Sequence, residues 1–390
     1  MKVYFINPPF KAEYGKFSRE SRSPAVTKSG ALYYPLWLIY AAAYVQKNGH
    51  EVYFLDAPAK PLNEDETLAL LSRLFSNRWL NFLRAFTGNV FHDVLHAAIQ
   101  NFAEHIKQIY PHAYLVLVGT HPSACAEETL GYSKAVDAVA IGEYDETIKE
   151  LANAIENRRE LMQVRGLCLR REETFIRTGI MPSIKNLDDI PFASAFIKDN
   201  LNERDYFFAA ATYPSIQIFT GRGCPFHCNF CVYPQTMHGH IFRARSAENV
   251  VDEFEYIAEN FPDVKEVVIE DDTFTVNKKR VLEICNLLVS KGINKRLKWL
   301  CNARVNLDYE TMCAMKKAGC RLIIPGIESG SQQILDNIKK GTKVEQFYRY
   351  VSDAKRAGLL IHACYMVGNC GETKETMNET LKLALKLNTD

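Results

Sequence analysis

The sequence predicts an α/β protein: a doubly wound, Rossmann-like parallel sheet followed by a partial (β/α)6 barrel. Short apolar runs alternate with helical stretches, and many of these runs end in Gly, Pro, Asn or acidic residues. The alternation restarts near residue 215 after an irregular stretch. A chain of 390 residues is long enough for two domains with separate cores. We predict an α/β domain over 1–151, a connector over 152–214 and the barrel over 215–390.

The first domain is predicted to contain five parallel strands separated by helices. The strands are 2–6, 51–55, 82–86, 114–118 and 138–141, and the helices are 35–48, 64–75, 90–110 and 127–131. Ligands of open α/β sheets bind beyond the carboxyl ends of the strands, so the residues that follow each strand are candidate binding residues. They are Asn7, Pro8, Pro9, Asp56, Thr87, Gly119, His121, Pro122, Gly142 and Glu143.

The remaining chain is predicted to contain a hairpin and then five strand–helix units. The hairpin pairs 164–169 with 174–178. The strands of the barrel are 216–220, 266–270, 298–302, 321–327 and 360–367, and its helices are 247–260, 278–291, 309–318, 344–357 and 374–388. We expect a sixth strand to follow Asp390, because an open edge leaves backbone groups unpaired.

Composition argues against several classes of partner and compartment. The net charge of +1 gives no basic surface for a nucleic acid. The apolar stretch 31–45 is too short to span a bilayer and contains Pro35, so it is predicted to form a buried helix. Eleven cysteines without a secretory signal predict free thiols in a reducing compartment, the cytoplasm.

The cysteine trio Cys224, Cys228 and Cys231 is the most informative motif of the chain. Its spacing is C-x3-C-x2-C, in a loop after a predicted strand. Such a loop can give one thiolate to each of three irons of a 4Fe-4S cluster and leave the fourth iron open. The alternative is structural zinc with a nearby histidine as fourth ligand. Zinc knuckles favour C-x2-C pairs with a second pair at a distance, which this chain lacks. The histidines considered are His227, His238 and His240.

The pattern C-x3-C-x-aromatic-C, with Phe230 as the aromatic residue, resembles the radical S-adenosylmethionine (SAM) superfamily. Segments 270–274, 302–304, 326–330 and 368–373 at the ends of the predicted barrel strands resemble it too. In that family the amino and carboxylate groups of SAM chelate the open iron.

The same resemblance implies a role for each matching residue. Asp271 or Asp272 would accept hydrogen bonds from the ammonium group of SAM, and Arg304 would neutralise its carboxylate. Glu328 would hold the ribose hydroxyls. The adenine would lie near Phe230 and Gly368.

The loops that contain Asn7, Gly119 and Gly142 resemble those of the cobalamin-binding domain that precedes the barrel in one radical SAM class. The Asp-x-His-x-x-Gly segment by which some cobalamin proteins give a histidine to cobalt is absent, and His121 does not fit it. If cobalamin binds, we therefore predict that cobalt has no histidine ligand from this domain.

Together the resemblances imply an enzyme that forms a 5′-deoxyadenosyl radical from SAM and uses cobalamin to methylate an unactivated carbon. Residues 231–236 and 243–246 resemble enzymes that tailor hopanoid lipids and other natural products, so the implied substrate is a small molecule or lipid. A flavodoxin- or ferredoxin-type protein would donate electrons. Two alternatives stay open: a radical SAM reductase, cyclase or mutase without methyl transfer, and a zinc-stabilised α/β binding protein.

Overall fold

The structure is a computed structural model that describes residues 1–9, 31–74, 82–87 and 92–390, with the backbone alone at 74 and over 82–87 and 92–100. The chain divides into two compact units. The first unit comprises Met1–Lys185, Asp189–Ala209 and Gln235–His238. The second comprises Asn186–Asp188, Ala210–Pro234 and Gly239–Asp390.

Within the described residues, the first unit contains one seven-stranded sheet in the order β2-β1-β3-β4-β5-β6-β7. Its strands are β1 Lys2–Asn7, β2 Glu51–Asp56, β3 Phe82–Thr87, β4 Tyr114–Val118, β5 Ala138–Ala140, β6 Leu167–Arg171 and β7 Thr174–Arg177. Strands β1 to β5 are parallel, which confirms the predicted doubly wound sheet. Strands β6 and β7 are the predicted hairpin, and they extend this sheet with antiparallel pairs. The strand order reverses between β1 and β3, the position at which open α/β sheets bind ligands.

The helices of the first unit are α1 Leu36–Lys47, α2 Glu64–Leu74, α3 His92–Ile109, α4 Thr120–Ala124, α5 Ala126–Tyr132, α6 Asp145–Glu156 and α7 Ala193–Asn200. Helix α1 is buried on almost every side and packs against α6 and α7, which explains its nearly continuous apolar sequence. The predicted buried helix is therefore confirmed. No helix in the described ranges is long and apolar enough to cross a bilayer.

The second unit is built on a parallel sheet in the order β14-β13-β12-β11-β8, with β15 also on β13. Its strands are β8 Ser215–Ile218, β9 Gly221–Arg222, β10 Arg243–Ala244, β11 Glu266–Ile269, β12 Lys298–Ala303, β13 Cys320–Glu328, β14 Leu360–Ile361 and β15 Cys364–Tyr365. Its helices are α8 Ala247–Asn260, α9 Lys278–Ser290, α10 Tyr309–Lys317, α11 Gln332–Asn337, α12 Val344–Arg356 and α13 Lys374–Leu387.

This alternation confirms the predicted barrel units, with one difference: the last predicted strand is two short strands, β14 and β15. Because the main strands are parallel, the loops after β8, β11, β12 and β13 leave the sheet at the same edge. The predicted site residues of the second half lie in or beside these loops, except Gly368, which follows β15.

Candidate functional site

The cysteine loop follows β8 and the short strand β9, and a glycine determines its path. Gly223 has φ +91°, and a Cβ at this position would lie 1.9 Å from the carbonyl oxygen of Ile241. A residue with a side chain would therefore push the loop away from the segment that crosses it. Cys224, Cys228 and Cys231 come next; none of the three is in a disulfide, and all are partly exposed.

Hydrogen bonds to backbone carbonyl groups hold this loop on two sides. The backbone N–H of Asn229 donates to the carbonyl of Ile338 (3.2 Å), and its side-chain amide donates to the carbonyl of Asn337 (2.9 Å). On the other side, Nδ1 of His240 lies 2.7 Å from the carbonyl oxygen of Phe226. The shape of the loop is therefore set by backbone atoms and by side chains other than the three thiols.

The loop presents three cysteine thiols between residues 224 and 231, the kind of donor that an iron–sulfur cluster takes. Among the described residues no group of three or more His, Cys, Asp or Glu side chains is placed to hold one metal ion. A cubane makes a different demand, because each thiolate binds a different iron. Burial raises the pKa of Cys224, and the Asp272 carboxylate raises it too, while a backbone hydrogen bond and Arg304 lower it.

Arg304 reaches the cysteine loop from the end of β12. Its backbone N–H donates to Oγ1 of Thr275 (3.2 Å), which fixes where the side chain starts. The guanidinium lies over the ring of Phe226, 3.6 Å from its centroid, and Nη1 lies 3.8 Å from Sγ of Cys228. Nη2 donates to the carbonyl of Lys340. The buried guanidinium of Arg304 thus contacts two parts of the cysteine loop, the ring of Phe226 and the thiol of Cys228.

The adjacent carboxylates Asp271 and Asp272 have different surroundings. Asp271 is 1% exposed and accepts hydrogen bonds from the backbone N–H and the hydroxyl of Thr220, both at 2.6 Å. Burial raises its pKa. Asp272 is partly exposed and accepts from the backbone N–H of Gly223 (3.2 Å) at the start of the cysteine loop. Asp271 therefore ties β8 to β11, and Asp272 borders the cysteines.

Glu328 ends β13 in a buried ion pair with a residue that the sequence did not indicate. Oε1 of Glu328 lies 2.7 Å from Nζ of Lys340, and both side chains are buried. A Cβ on Gly326 would lie 2.3 Å from that oxygen and 2.7 Å from the lysine nitrogen, so the glycine makes room for the pair. Lys340 also lies 5.9 Å from the ring centroid of Phe230. No motif distinguishes Lys340 in the sequence, and only the fold reveals its position.

The predicted adenine residues lie on two different loops. Phe230 belongs to the cysteine loop, and its ring is 38% exposed. Gly368 has φ +89°, and the backbone N–H groups of Gly368 and Asn369 both donate to Oε2 of Glu372. Asn337 donates to the carbonyl of Cys370 (3.1 Å) and so connects this turn to the end of α11.

In the first unit, two predicted binding residues contact each other. Nδ2 of Asn7 donates to Oδ1 of Asp56 (2.8 Å), and the hydroxyl of Tyr206 donates to Oδ2 of the same carboxylate (2.8 Å). All three are buried. The ring of Tyr34 stacks on Tyr206 with centroids 3.9 Å apart. The ends of β1 and β2 are therefore covered by side chains of the protein itself, those of Tyr206 and Tyr34.

The other predicted residues of this unit follow β3, β4 and β5. Gly119 (φ +114°) precedes α4, which contains His121 and the buried Pro122. Gly142 (φ +82°) and Glu143 follow β5. Thr87 ends β3, where the structure describes the backbone alone, and the next residues lie outside the described ranges. Pro8 and Pro9 follow β1.

Hydrogen bonds join the turn after β4 to the turn after β5, and join the turn after β5 to a segment from a distant part of the sequence. Oγ of Ser123 donates to the carbonyl of Gly119 (2.6 Å) and accepts from the backbone N–H of Gly142 (3.0 Å). The backbone N–H of Glu143 donates to the carbonyl of Met237 (3.2 Å). The turns after β4 and β5 therefore form one hydrogen-bonded rim.

Comparison with known proteins adds two family matches and one close relative. Residues 218–384 match the radical SAM superfamily, and residues 22–152 match the B12 binding domain. An uncharacterized methyltransferase of Pyrococcus horikoshii is 31% identical over 91% of this chain and 74% of its own length. The chain belongs to the radical SAM superfamily and carries a B12 binding domain. The cofactors implied by this membership are a 4Fe-4S cluster, SAM and cobalamin, as the sequence predicted.

Other relatives of this radical SAM protein carry different names. The anaerobic magnesium-protoporphyrin IX monomethyl ester cyclase of Cereibacter sphaeroides is 28% identical over 90% of this chain, but the chain spans only 56% of that cyclase. The solved structure of the radical SAM methyltransferase TsrM from Kitasatospora setae, with tryptophan and a SAM analog bound, superposes with a TM-score of 0.73 at 18% identity. The superposition covers 100% of this chain and 71% of that one. That likeness supports the fold.

Proposed function

We propose that this radical SAM protein transfers a methyl group to a carbon atom of a small molecule, a lipid or natural product, with the help of cobalamin. The observation that carries the proposal is the presence, in one chain, of a B12 binding domain and a three-cysteine loop at the carboxyl edge of a parallel sheet. The Pyrococcus methyltransferase, similar over 91% of the chain, supports it. When bound, the cluster and SAM supply radical chemistry, and cobalamin supplies a methyl carrier.

The cluster ligands in this proposal are Cys224, Cys228 and Cys231. They are cysteines outside any disulfide, on a loop whose shape is held by Asn229 and by backbone hydrogen bonds. Their partial exposure leaves room for a ligand on the open iron.

For SAM we propose Asp272 and Glu328 as the acidic contacts. Asp271 is not proposed, because Thr220 already occupies both oxygens of its buried carboxylate. Asp272 borders the cysteines, where the ammonium group of SAM would lie. Glu328 would accept hydrogen bonds from the ribose hydroxyls, beside the Nζ of Lys340 2.7 Å away. Phe230 and the Gly368 turn remain the proposed adenine contacts.

For cobalamin we propose the rim formed by the turns at Gly119 and Gly142. Both glycines have positive φ, the backbone conformation that favours glycine, and a Cβ at Gly142 would lie 3.3 Å from the carbonyl oxygen of Met237. His121, Pro122, Glu143 and Thr87 belong to the same edge of the sheet. Asn7 and Asp56 support this edge from within, because they are buried against each other and Tyr206. Cobalt would have no histidine ligand from this domain.

The experiment that tests the proposal follows the methyl group of SAM. The full chain is reconstituted anaerobically with iron and sulfide, with and without cobalamin, and given a one-electron reductant of flavodoxin type and SAM with a deuterated methyl group. The substrate is sought by mass spectrometry in lipid and metabolite extracts. A product heavier by one labelled methyl group, formed only with cobalamin, supports the proposal. Deoxyadenosine without any labelled product would contradict methyl transfer.

A second candidate is a radical cyclase, and the similarity to the Cereibacter cyclase over 90% of this chain favours it among the non-methylating functions. The same assay separates the two functions. A cyclase would form deoxyadenosine and a product that has lost hydrogen, with no labelled methyl group incorporated.

A further inference from the structure

The structure assigns Arg304 a role toward the cluster: it is a positioning residue that holds the Cys228 thiolate and raises the reduction potential of the 4Fe-4S cluster. The sequence resemblance had implied a different task, neutralising the carboxylate of SAM. The new inference rests on the three cysteines as cluster ligands and not on methyl transfer.

Three contacts place the guanidinium of Arg304 against the cysteine loop. Its central carbon Cζ lies 3.6 Å from the ring centroid of Phe226, which stands between Cys224 and Cys228 in the chain. Nη1 lies 3.8 Å from Sγ of Cys228, within hydrogen-bonding distance for sulfur. Nη2 is used elsewhere, on the carbonyl of Lys340. The Nη1 donor is therefore the one that would face a ligand sulfur if Cys228 held the cluster.

The surroundings of Arg304 keep this geometry rigid. The side chain is buried, and its backbone N–H is bonded to Thr275 in the turn after β11. The carbonyl that receives Nη2 belongs to the segment after α11. That segment also accepts two hydrogen bonds from Asn229, between Cys228 and Cys231. Arg304 and the loop are thus both hydrogen-bonded to the same short stretch, Asn337 to Lys340.

The electrostatic consequence follows from the sign of the charge. Reduction adds one electron to the cluster, and part of that charge resides on the sulfur ligands. A cation that donates a hydrogen bond to a ligand sulfur stabilises the reduced state more than the oxidised state and raises the potential. Burial strengthens the effect, because water does not screen the charge.

The test is a redox titration of the reconstituted full chain without SAM, followed by electron paramagnetic resonance of the reduced cluster. Arg304→Met removes the charge and the donors but keeps an apolar side chain against Phe226. We expect the ratio of reduced to oxidised cluster at a fixed potential to fall about tenfold, which equals about 59 mV for a one-electron couple. Arg304→Lys keeps the charge and is expected to shift less in the same direction.

Arg296→Met is the matched control. Arg296 is an exposed arginine of the same unit that donates to the carbonyls of Val264, Phe261 and Pro262. Its removal is expected to leave the cluster potential unchanged. If Arg304→Met takes up no cluster, Phe226→Leu replaces it, because that variant keeps the cation and removes only the ring beneath it. For Phe226→Leu we expect the ratio of reduced to oxidised cluster at a fixed potential to fall by less than tenfold.

The outcomes are distinguishable. An unchanged SAM-free potential in Arg304→Met, or in Phe226→Leu where that variant is needed, overturns the inference. Such a result combined with weaker SAM binding would assign Arg304 to the SAM carboxylate instead. A wild-type chain with no iron, sulfide or reduced-cluster signal would instead defeat the cysteine assignment in the proposed function.

Discussion

The two units place their candidate residues at the same position of a parallel sheet, the carboxyl ends of the strands, but use them differently. In the second unit, side chains from several strand ends converge on the cysteine loop, as Arg304 and Asp272 do. In the first unit, Asn7 and Asp56 are buried together beneath Tyr206. A strand end is therefore a favourable place for a site, and burial decides whether its residues face a ligand or support the fold.

The largest expected effect tests the second unit directly. Cys228→Ala removes one of three proposed cluster ligands, so we expect loss of SAM cleavage and of most cluster iron after anaerobic reconstitution. Cys313→Ala is the matched control, since Cys313 is a partly exposed free thiol on α10. Deoxyadenosine formation and iron content are measured for both. Full cleavage by Cys228→Ala would mean that the cluster is held elsewhere.

The adjacent carboxylates give the sharpest comparison within one unit. Asp271→Ala leaves a buried N–H and hydroxyl of Thr220 without their acceptor, so we expect the free energy of unfolding to fall by about 3 kcal/mol. Asp272→Ala should cost less than about 1 kcal/mol and weaken SAM binding about tenfold. Urea unfolding and SAM binding measure the two effects. Equal stability of the two variants would refute the distinction.

The corresponding test of the first unit uses Tyr206→Phe. The variant leaves one oxygen of the buried Asp56 carboxylate without this donor, and we expect a loss of about 1–3 kcal/mol in unfolding free energy. Tyr132→Phe is the control, because its hydroxyl donates to Glu128 at the exposed surface, and it should change stability by less than about 0.5 kcal/mol. A cobalamin-binding defect in Tyr206→Phe without any loss of stability would assign this cluster to the ligand.

The smallest expected effect concerns acid stability. The ion pair with Lys278 lowers the pKa of Asp308 to about 2, and the carboxylate also caps α10. Because the folded pKa lies below the usual value of about 3.9, this contribution is present above pH 4 and is lost as the pH falls toward 2. Asp308→Asn should keep the cap and lose this dependence, while Asp308→Ala should cost about 1 kcal/mol at pH 7. Unfolding measured from pH 2 to 7 checks both, and parallel curves for wild type and Asp308→Asn would contradict the assignment.

A second acidic residue with a lowered pKa allows the acid stability of the first unit to be tested separately from that of the second. In the first unit, the hydrogen bonds that Arg177 donates to the carboxylate of Glu127 lower the pKa of Glu127 to about 2. Its loss on acidification has the same sign as that of Asp308. If the units unfold in separate transitions, Glu127→Gln should change the acid dependence of the first unit alone.

The strands, most of the helices and the cysteine loop could be predicted, because apolar periodicity and motif spacing are properties of neighbouring residues. The distinction between Asp271 and Asp272 could not, since adjacent acids look alike until the fold buries one of them. Lys340 could not either, because its pairing with Glu328 depends on the return of the chain after α11. The antiparallel strands β6 and β7 were predicted as a hairpin, but nothing local indicated that they continue the first sheet.

One feature of the first unit bears on how this protein can be divided. Four residues, Gln235–His238, belong to that unit although they follow Cys231 by only a few positions, and Met237 accepts a hydrogen bond from Glu143. A fragment that starts at residue 215 would carry this stretch without its natural support, immediately beside the last cysteine. A cut after His238 would instead remove the cysteine loop from the second unit. No single cut therefore separates the two units cleanly, either for separate expression or for exchange of the leading domain between relatives.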